Sequence, residues 1–325
     1  MGRTEDASAV ADCIQAADRI FVAGHQHPDG DAVGSLLALQ SMLRSFGKTV
    51  HAALPDPPPA RFEFLDGLDS IATEAPPWHA DLAIALDCDG ADRLGSLEEA
   101  VLSANRVVNI DHHRGMKPFG DVQFIDPSAA ATAVLVAELA GQLDLLPPTP
   151  AQATALYTAL IADTGCFRFT NTSPEALHLG ADLVAAGVDP AETARRVFSL
   201  RPFSSVMLEA RALHSLHLAD SVLMATLSHE DFAEIGAVPA ETEGIIDAFR
   251  DVHGVRAAVL LKESEPGVWN VSLRGNDVDV ASVAEQFGGG GHRLAAGCTI
   301  EGPRENVTAR LLAAMKAQME VRPDA

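Results

Sequence analysis

The sequence predicts an α/β protein, with an N-terminal doubly wound, mainly parallel sheet and a smaller C-terminal α/β domain. Three observations carry this. Short continuous apolar runs alternate with stretches of helical periodicity through the first half, as buried parallel strands joined by helices do. Several runs end in carboxylates or imidazoles, which places polar groups where an open α/β sheet forms its ligand crevice. From about Leu218 the pattern changes, and β-like runs with two helical stretches indicate a second unit.

The elements follow in order. Arg19–Ala23 (RIFVA) reads as a short buried strand. Ala32–Phe46 reads as a helix, with Val33, Leu36, Leu37, Leu39, Leu43 and Phe46 at helical spacing and Gly47 as its stop. Thr49–Ala53 is a second strand, and the prolines from 57 to 59 mark a loop. Leu82–Leu86 (LAIAL) ends at Asp87, and Asn105–Ile110 ends at Asp111. Ala129–Leu143 and the strongly apolar Ala151–Ala162 are helical, the latter delivering Asp163. Leu177–Ala186 is a further helix, ended by Gly187. Residues 189–217 form a largely helical connector that Pro202 interrupts. Beyond it Ser221–Leu227, Val255–Lys262 and Val268–Arg274 are β-like, while Thr242–Phe249 and Val280–Phe287 read as helices. The expected domains are therefore 1–188 and 218–325, with the connector between them.

Composition bounds the function. The chain has 325 residues, 47% of them apolar, which suffices for two cores. No apolar run approaches the roughly 20 residues that span a bilayer, so no membrane partner is expected. The first residues lack a signal-peptide pattern, and the four cysteines are scattered without a CxxC pair, so a reduced cytoplasmic protein is expected. The net charge of −22, with lysine only at 48, 117, 262 and 316, argues against a protein that tracks long duplex nucleic acid. A short, phosphate-bearing ligand remains compatible, because bound metal ions reverse the local charge. Solubility or adaptation to salt accounts for the acidity equally well.

Four segments carry candidate chemistry, and each has a plain alternative. His25, Asp29 and Asp31 follow the first strand. Two carboxylates either side of Gly30 repel unless cations lie between them, or they form an ordinary Asp-Gly turn that caps the next helix. Gly34-Ser35 would let that helix approach the loop. Asp87 ends a buried strand, which suits a ligand or a helix cap. Asp111-His112-His113 offers three groups in a row; one imidazole suits a metal, the other a substrate, and Asp111 suits an orienting role. A surface His pair is the alternative there. Asp163 alone would read as structural. Together these are hard oxygen and imidazole donors with no cysteine, a set suited to Mn²⁺ or Mg²⁺. Farther on, Gly288–Gly291 before His292 exposes backbone N–H groups to a phosphate or serves as a hinge. Arg274 could clamp a phosphate.

These segments together resemble the DHH phosphoesterase superfamily. The match runs through His25…Asp29-Gly-Asp31…Gly34-Ser35, Asp87, Asp111-His112-His113 and Asp163, and the segment 288–297 (GGGGHRLAAG) is similar to the glycine-rich motif of the DHH-associated C-terminal domain. Size, and the segment 164–172 (TGCFRFTNT), point to the bifunctional oligoribonuclease and 3′-phosphoadenosine-5′-phosphate phosphatase branch. The resemblance implies a first metal on His25 and Asp29, a second on Asp31, His112 and Asp163, and Asp87 bridging both. It implies His113 at the scissile phosphate with Asp111 behind the histidines. Arg274, Gly289, Gly290, Gly291 and His292 would hold the substrate's other phosphate in a cleft between the domains. His27 is a bystander, and Met116 departs from the Asn that members often carry after DHH.

The expected activity is therefore hydrolysis of very short oligonucleotides to mononucleotides and removal of the 3′-phosphate of 3′-phosphoadenosine 5′-phosphate, using two Mn²⁺ ions with Mg²⁺ as the alternative. The expected partners are short oligonucleotides and nucleoside 3′,5′-bisphosphates, and a homodimer is compatible. Rival expectations are a cyclic-dinucleotide phosphodiesterase, an inorganic pyrophosphatase, a processive single-strand exonuclease, and a nucleotide sensor without catalysis.

Overall fold

Five short apolar runs build the first sheet, and alternate residues within them face two different cores. The computed structural model describes residues 3–113, 117 and 119–320, without the side chains of 3–5 and 292. It contains two units, Met1–Leu200 and Arg201–Ala325. In the first, α1 (Arg3–Ala16) leads to β1 (Arg19–Ala23), α2 (Gly30–Ser45), β2 (Thr49–Ala53) and β3 (Leu82–Leu86). There follow α3 (Glu98–Leu102), β4 (Val107–Asp111), β5 (Val122–Ile125), α4 (Thr132–Gln142), α5 (Pro150–Asp163), α6 (Pro174–Ala185) and α7 (Pro190–Ala194).

The strands are all parallel, in the order β2-β1-β3-β4-β5. This is the doubly wound arrangement expected. The order reverses between β1 and β3, so a ligand crevice belongs beyond their C-terminal ends. Ile20, Val22, Leu82, Ile84, Val108 and Ile110 pack in the core that also holds residues of α1, α2, α4 and α5. Phe21, Ala83, Ala85 and Val107 pack in the other, with Leu94, Leu97 and Val101. This two-sided burial explains why the strands read as continuous apolar runs rather than alternating ones.

Helices α2 and α5 meet closely because small residues line their contact. A Cβ on Gly34 would collide with the carbonyl of Ala155 and with Ala159, and one on Gly30 with Ala162. Gly34 therefore admits α5 rather than the preceding loop, which corrects the sequence expectation. The consequence is functional: the start of α2, carrying Asp31, lies against the end of α5, carrying Asp163.

The second unit contains α8 (Phe203–His214), β6 (His217–Ala219), β7 (Val222–Leu227), α9 (His229–Ile235), α10 (Asp247–Arg250), β8 (Ala257–Glu265) and β9 (Val268–Gly275). It ends with α11 (Val280–Glu285), β10 (Gly290–His292), β11 (Ala295–Glu301) and α12 (Arg304–Glu320). Its sheet runs β10-β11-β9-β8-β7-β6, with β7 and β8 parallel and the other pairs antiparallel. Val259, Leu261, Val271 and Leu273 pack with Val283, Leu311 and Met315, while Ala258 and Leu260 pack with Leu208, Ala212 and Phe249.

The helix expected over Thr242–Phe249 is not formed. A 3₁₀ turn at Pro239–Thr242 and the short α10 replace it, separated by Gly244 at φ 78°. That left-handed backbone interrupts a helix whatever the apolar spacing says. Pro202 stands as the N-cap of α8, with α7 and a π-helical turn at Arg195–Ser199 before it.

Candidate metal centre

Each sequence-predicted ligand of the first unit sits at the C-terminal end of a strand or where a helix begins or ends, and their side chains meet. Two groups form: His25 with Asp29 and Asp87, and Asp31 with His112 and Asp163, each offering donor atoms within 4.8 Å of one another. Asp87 also groups with His112 and His113. Its Oδ2 is 3.4 Å from His25 Nε2, and its Oδ1 is 3.6 Å from His112 Nε2 and 3.5 Å from His113 Nδ1. Asp87 thus reaches into both groups. It does so from a left-handed backbone, φ 60°, a conformation that costs on the order of 1–3 kcal/mol and collects at functional sites.

Asp29 fills two descriptions at once. It caps α2, its Oδ1 accepting from the N–H of Asp31 and Ala32 at 3.0 and 3.1 Å, and the same oxygen is 3.9 Å from His25 Nε2. Asp31 is fully buried. Its Oδ2 accepts from Thr132 N at 2.5 Å, and its Oδ1 from Ala133 N at 3.1 Å and Ser35 Oγ at 2.9 Å. Helix α4 has no side-chain cap of its own, so a carboxylate from α2 satisfies its first N–H groups. Thr132 Oγ1 donates to Asp87 Oδ1 at 2.9 Å, so the first turn of α4 holds two of the carboxylates.

The two histidines are oriented differently. His112 Nδ1 donates to the Ala129 carbonyl at 3.2 Å, which turns Nε2 toward Asp163 at 3.1 Å and Asp31 and Asp87 at 3.6 Å. His25 is set the same way, with Nδ1 on the Gln26 carbonyl at 2.8 Å. A backbone carbonyl behind each imidazole fixes the tautomer that leaves Nε2 for a ligand. Asp111 binds His113 instead: its Oδ1 is 2.8 Å from His113 Nδ1 and also accepts from the N–H of His112 and His113. The sequence expectation left open which imidazole Asp111 serves.

The electrostatics suit a site that could hold cations. His112 Nε2 is buried and makes no hydrogen bond of good geometry, while three carboxylates face it. Burial, then the charges of Asp87 and Asp163, push the Asp31 carboxyl well above the usual range, and burial raises Asp163. Burial works against the His25 and His112 imidazoliums, but the surrounding carboxylates outweigh it and raise both to about 10. Burial also disfavours the Asp87 anion, and the three imidazoles reverse that and bring it below the carboxylate range. Divalent cations would supply directly the positive charge that protonated imidazoles otherwise lend. Donors of only carboxylate and imidazole fit hard or borderline divalent ions.

Sequence reasoning missed the supports. Thr132, Ser35 and the backbone of α4 hold Asp31 and Asp87, and Asn171 Nδ2 ties the Asp163 carbonyl to that of Ala130 at 3.1 and 3.0 Å. A Thr opening an uncapped helix after an alanine run was the available signal. His27 is exposed, with its N–H on Asp56 Oδ2 at 2.7 Å. Met116 and the side chain of His292 lie outside the described residues.

In the second unit the last two glycines of the run are strand, and Gly288 lies in a turn at φ 75°. Gly290, Gly291 and His292 pair with Gly297, Ala296 and Ala295. A Cβ on Gly289 would strike the Gly297 carbonyl and Cys298, and Gly291 sits at φ 140° against Ala295 and Ala296, whereas Gly290 faces open space. Arg274 lies opposite Ala295 in register, with Nη1 on the Leu273 carbonyl at 3.0 Å and Nε 4.0 Å from Asp247.

Comparison with known proteins gives the same division. Residues 19–160 match the DHH family, N-terminal domain, and residues 220–321 match the DHHA1 domain. The chain is 34% identical over 305 residues to the bifunctional oligoribonuclease and PAP phosphatase NrnA of Thermus thermophilus, covering 90% of this chain and 88% of the relative. The Bacillus subtilis protein of the same name is 25% identical over 290 residues, covering 88% and 91%. An exopolyphosphatase-related protein from Bacteroides fragilis shares the fold, with a TM-score of 0.90 at 23% identity and 96% of each chain covered. Among the described residues no helix is long and apolar enough to cross a membrane.

Proposed function

The chain belongs to the DHH family, and from that premise we propose that it is a two-metal phosphoesterase that hydrolyses very short oligonucleotides to mononucleotides and removes the 3′-phosphate of 3′-phosphoadenosine 5′-phosphate. The observation that carries the reading is the position of Asp87, whose two oxygens reach the two ligand groups separately. The likeness to relatives named for both activities over about nine-tenths of the chain supports the substrate class.

In this reading His25 and Asp29 hold one ion, Asp31, His112 and Asp163 hold the other, and Asp87 serves both. The ions are Mn²⁺, with Mg²⁺ able to substitute. When bound, such a pair polarises the phosphoryl oxygens and lowers the pKa of water toward neutrality. The protein's own groups do the rest. Thr132 and the first turn of α4 keep Asp31 and Asp87 aimed. Asp111 holds Nδ1 of His113 and orients the ring, and Nε2 is assigned to the substrate, where it would donate to a phosphoryl oxygen or to the leaving oxygen. Its hydrogen bond to Asp111, the main cause, raises the His113 pKa and favours the protonated donor. Arg274, Gly289, Gly290, Gly291 and His292 are assigned to a second phosphate of the substrate, which restricts length. The acidic surface suits short substrates better than polymers.

The test is turnover of a linear dinucleotide and of 3′-phosphoadenosine 5′-phosphate with Mn²⁺. Mononucleotide release from the first and phosphate release from the second are expected. Inactivity of folded, metal-loaded protein on both would sink the assignment.

A further inference from the structure

We propose that the second unit carries a separate pocket for a nucleoside monophosphate, walled by α9 and the β8–β9 hairpin, with the phosphate on Lys262 and the base against Phe232. The inference rests on the proposed activity only in that such a molecule is its product.

The cavity measures about 390 Å³, within the size range of small-molecule sites. Phe232, Ala237 and Pro239 give it apolar walls, and His229, Lys262 and Asn270 give it polar groups. Lys262 is the informative residue. The chain has 45 acidic residues and four lysines. Lys48 donates to two carbonyls, Lys117 pairs with Asp92, and Lys316 pairs with Asp220. The Lys262 side chain is half-buried, and its ammonium has no hydrogen bond or ion pair among the described residues. Its sequence neighbour Glu263 does not neutralise it. That carboxylate accepts from the N–H of Gly267 at 2.9 Å and of His229 at 3.1 Å. A partly desolvated ammonium without a counter-charge is unfavourable, and a bound anion offsets that cost. Burial first and Arg274 second already lower the Lys262 pKa, in keeping with a cation that lacks a partner.

The remaining polar groups suit the edge of a heterocycle. His229 Nδ1 donates to the Ser264 carbonyl at 3.1 Å, which leaves Nε2 as an acceptor. Asn270 Oδ1 accepts from Thr299 Oγ1 at 3.0 Å, which leaves the amide N–H groups as donors. The pocket is not the Arg274 region. In register Lys262 faces Asn270 while Arg274 faces Ala258, four residues away along the strands, and Arg274 does not line the cavity.

The experiment is calorimetric titration of the full chain, stripped of divalent ions, with adenosine 5′-monophosphate. One site per chain that survives Arg274→Ala is expected. Lys262→Gln, Phe232→Ala and the pocket-filling Ala233→Trp should each weaken it at least tenfold, while Lys262→Arg and Arg274→Ala retain it. Melting curves confirm that each variant is folded. The proposal is overturned if the wild type does not bind, if binding is lost in Arg274→Ala rather than Lys262→Gln, or if inorganic phosphate or adenosine alone binds as tightly. Turnover with Mn²⁺ reports on the phosphoesterase reading independently.

Discussion

The strand ends of the first unit and the glycine edge of the second make different uses of the same resource, the backbone N–H group. In the first unit backbone donors are committed to protein carboxylates: Asp29, Asp31 and Asp111 each hold two. The carboxylates are thereby fixed where like charges repel, and most of them are buried. In the second unit the assigned substrate groups lie on and beside the edge strand β10, where Gly290 faces open space, and on the interior strand β9, where Arg274 has only weak protein partners. One region is preorganised against its own electrostatics and the other is left accessible. Substitutions should therefore act on rate in the first and on affinity in the second.

The largest effect belongs to Asp87. Asp87→Asn removes the one carboxylate that reaches both ligand groups, and kcat with Mn²⁺ should fall on the order of 10³-fold or more. The three imidazoles stabilise the Asp87 anion in the metal-free fold, so without metal the variant should also melt at a lower temperature near neutral pH. Retention of full activity would break the bridging assignment.

Thr132 tests whether the first turn of α4 is part of the site. Thr132→Val keeps the volume and the backbone donor to Asp31 but loses the hydroxyl on Asp87. Supporting residues of this kind are worth about 10–100-fold in metal affinity or activity. The metal concentration at half-maximal rate should rise accordingly, and Thr132→Ser should restore it. An unchanged metal requirement would reduce Thr132 to a helix start.

Stability against pH separates the metal-free and metal-loaded forms of the first unit. His25 and His112 are raised to about 10, so their stabilising protons are fully present below about 6.5 and are lost as pH rises toward 10. Asp31 and Asp163 are raised too, and their contribution likewise falls as pH rises above the ordinary carboxylate range. Asp87 is depressed and works the other way, losing stability only in acid. Chelated protein should therefore melt at progressively lower temperature between pH 6.5 and 10. Mn²⁺ should flatten that slope, because metal takes the place of the imidazole protons. Parallel slopes with and without metal would contradict the cluster's role as a cation site.

How much of this was legible in sequence follows from what the signals measure. The motif residues lie at element ends, where an apolar run stops on Asp87 or Asp111, and that is a local feature. Thr132 and Asn171 act through tertiary hydrogen bonds over 45 and 41 positions, and Ser35 through one turn of α2, so their partners are not written in the local pattern. Helix α1 was passed over because its polar, acidic residues hide the buried stripe of Ala7, Val10 and Ile14. Strand β5 has four residues, and β10 is made of glycines and a histidine, so neither offers a run to count. The helix expected over 242–249 failed in the opposite way, since its apolar spacing is real but Gly244 takes a left-handed backbone.

The smallest expected effect decides what the glycine edge is for. Packing explains Gly289, whose Cβ would strike the Gly297 carbonyl, and Gly289→Ala should cost about 1–3 kcal/mol and lower the melting temperature. Packing does not explain Gly290, which has nothing within reach of a Cβ and a backbone any residue can adopt. Gly290→Ala should leave the melting temperature within about a degree. If a phosphate approaches that backbone, the added methyl should raise KM for a dinucleotide severalfold with kcat nearly unchanged, because it obstructs binding without touching the catalytic groups. If KM does not move, Gly290 has no substrate role. The edge would then be a packing device around Gly289 and Gly291, and the contrast between the two regions would rest on Arg274 alone.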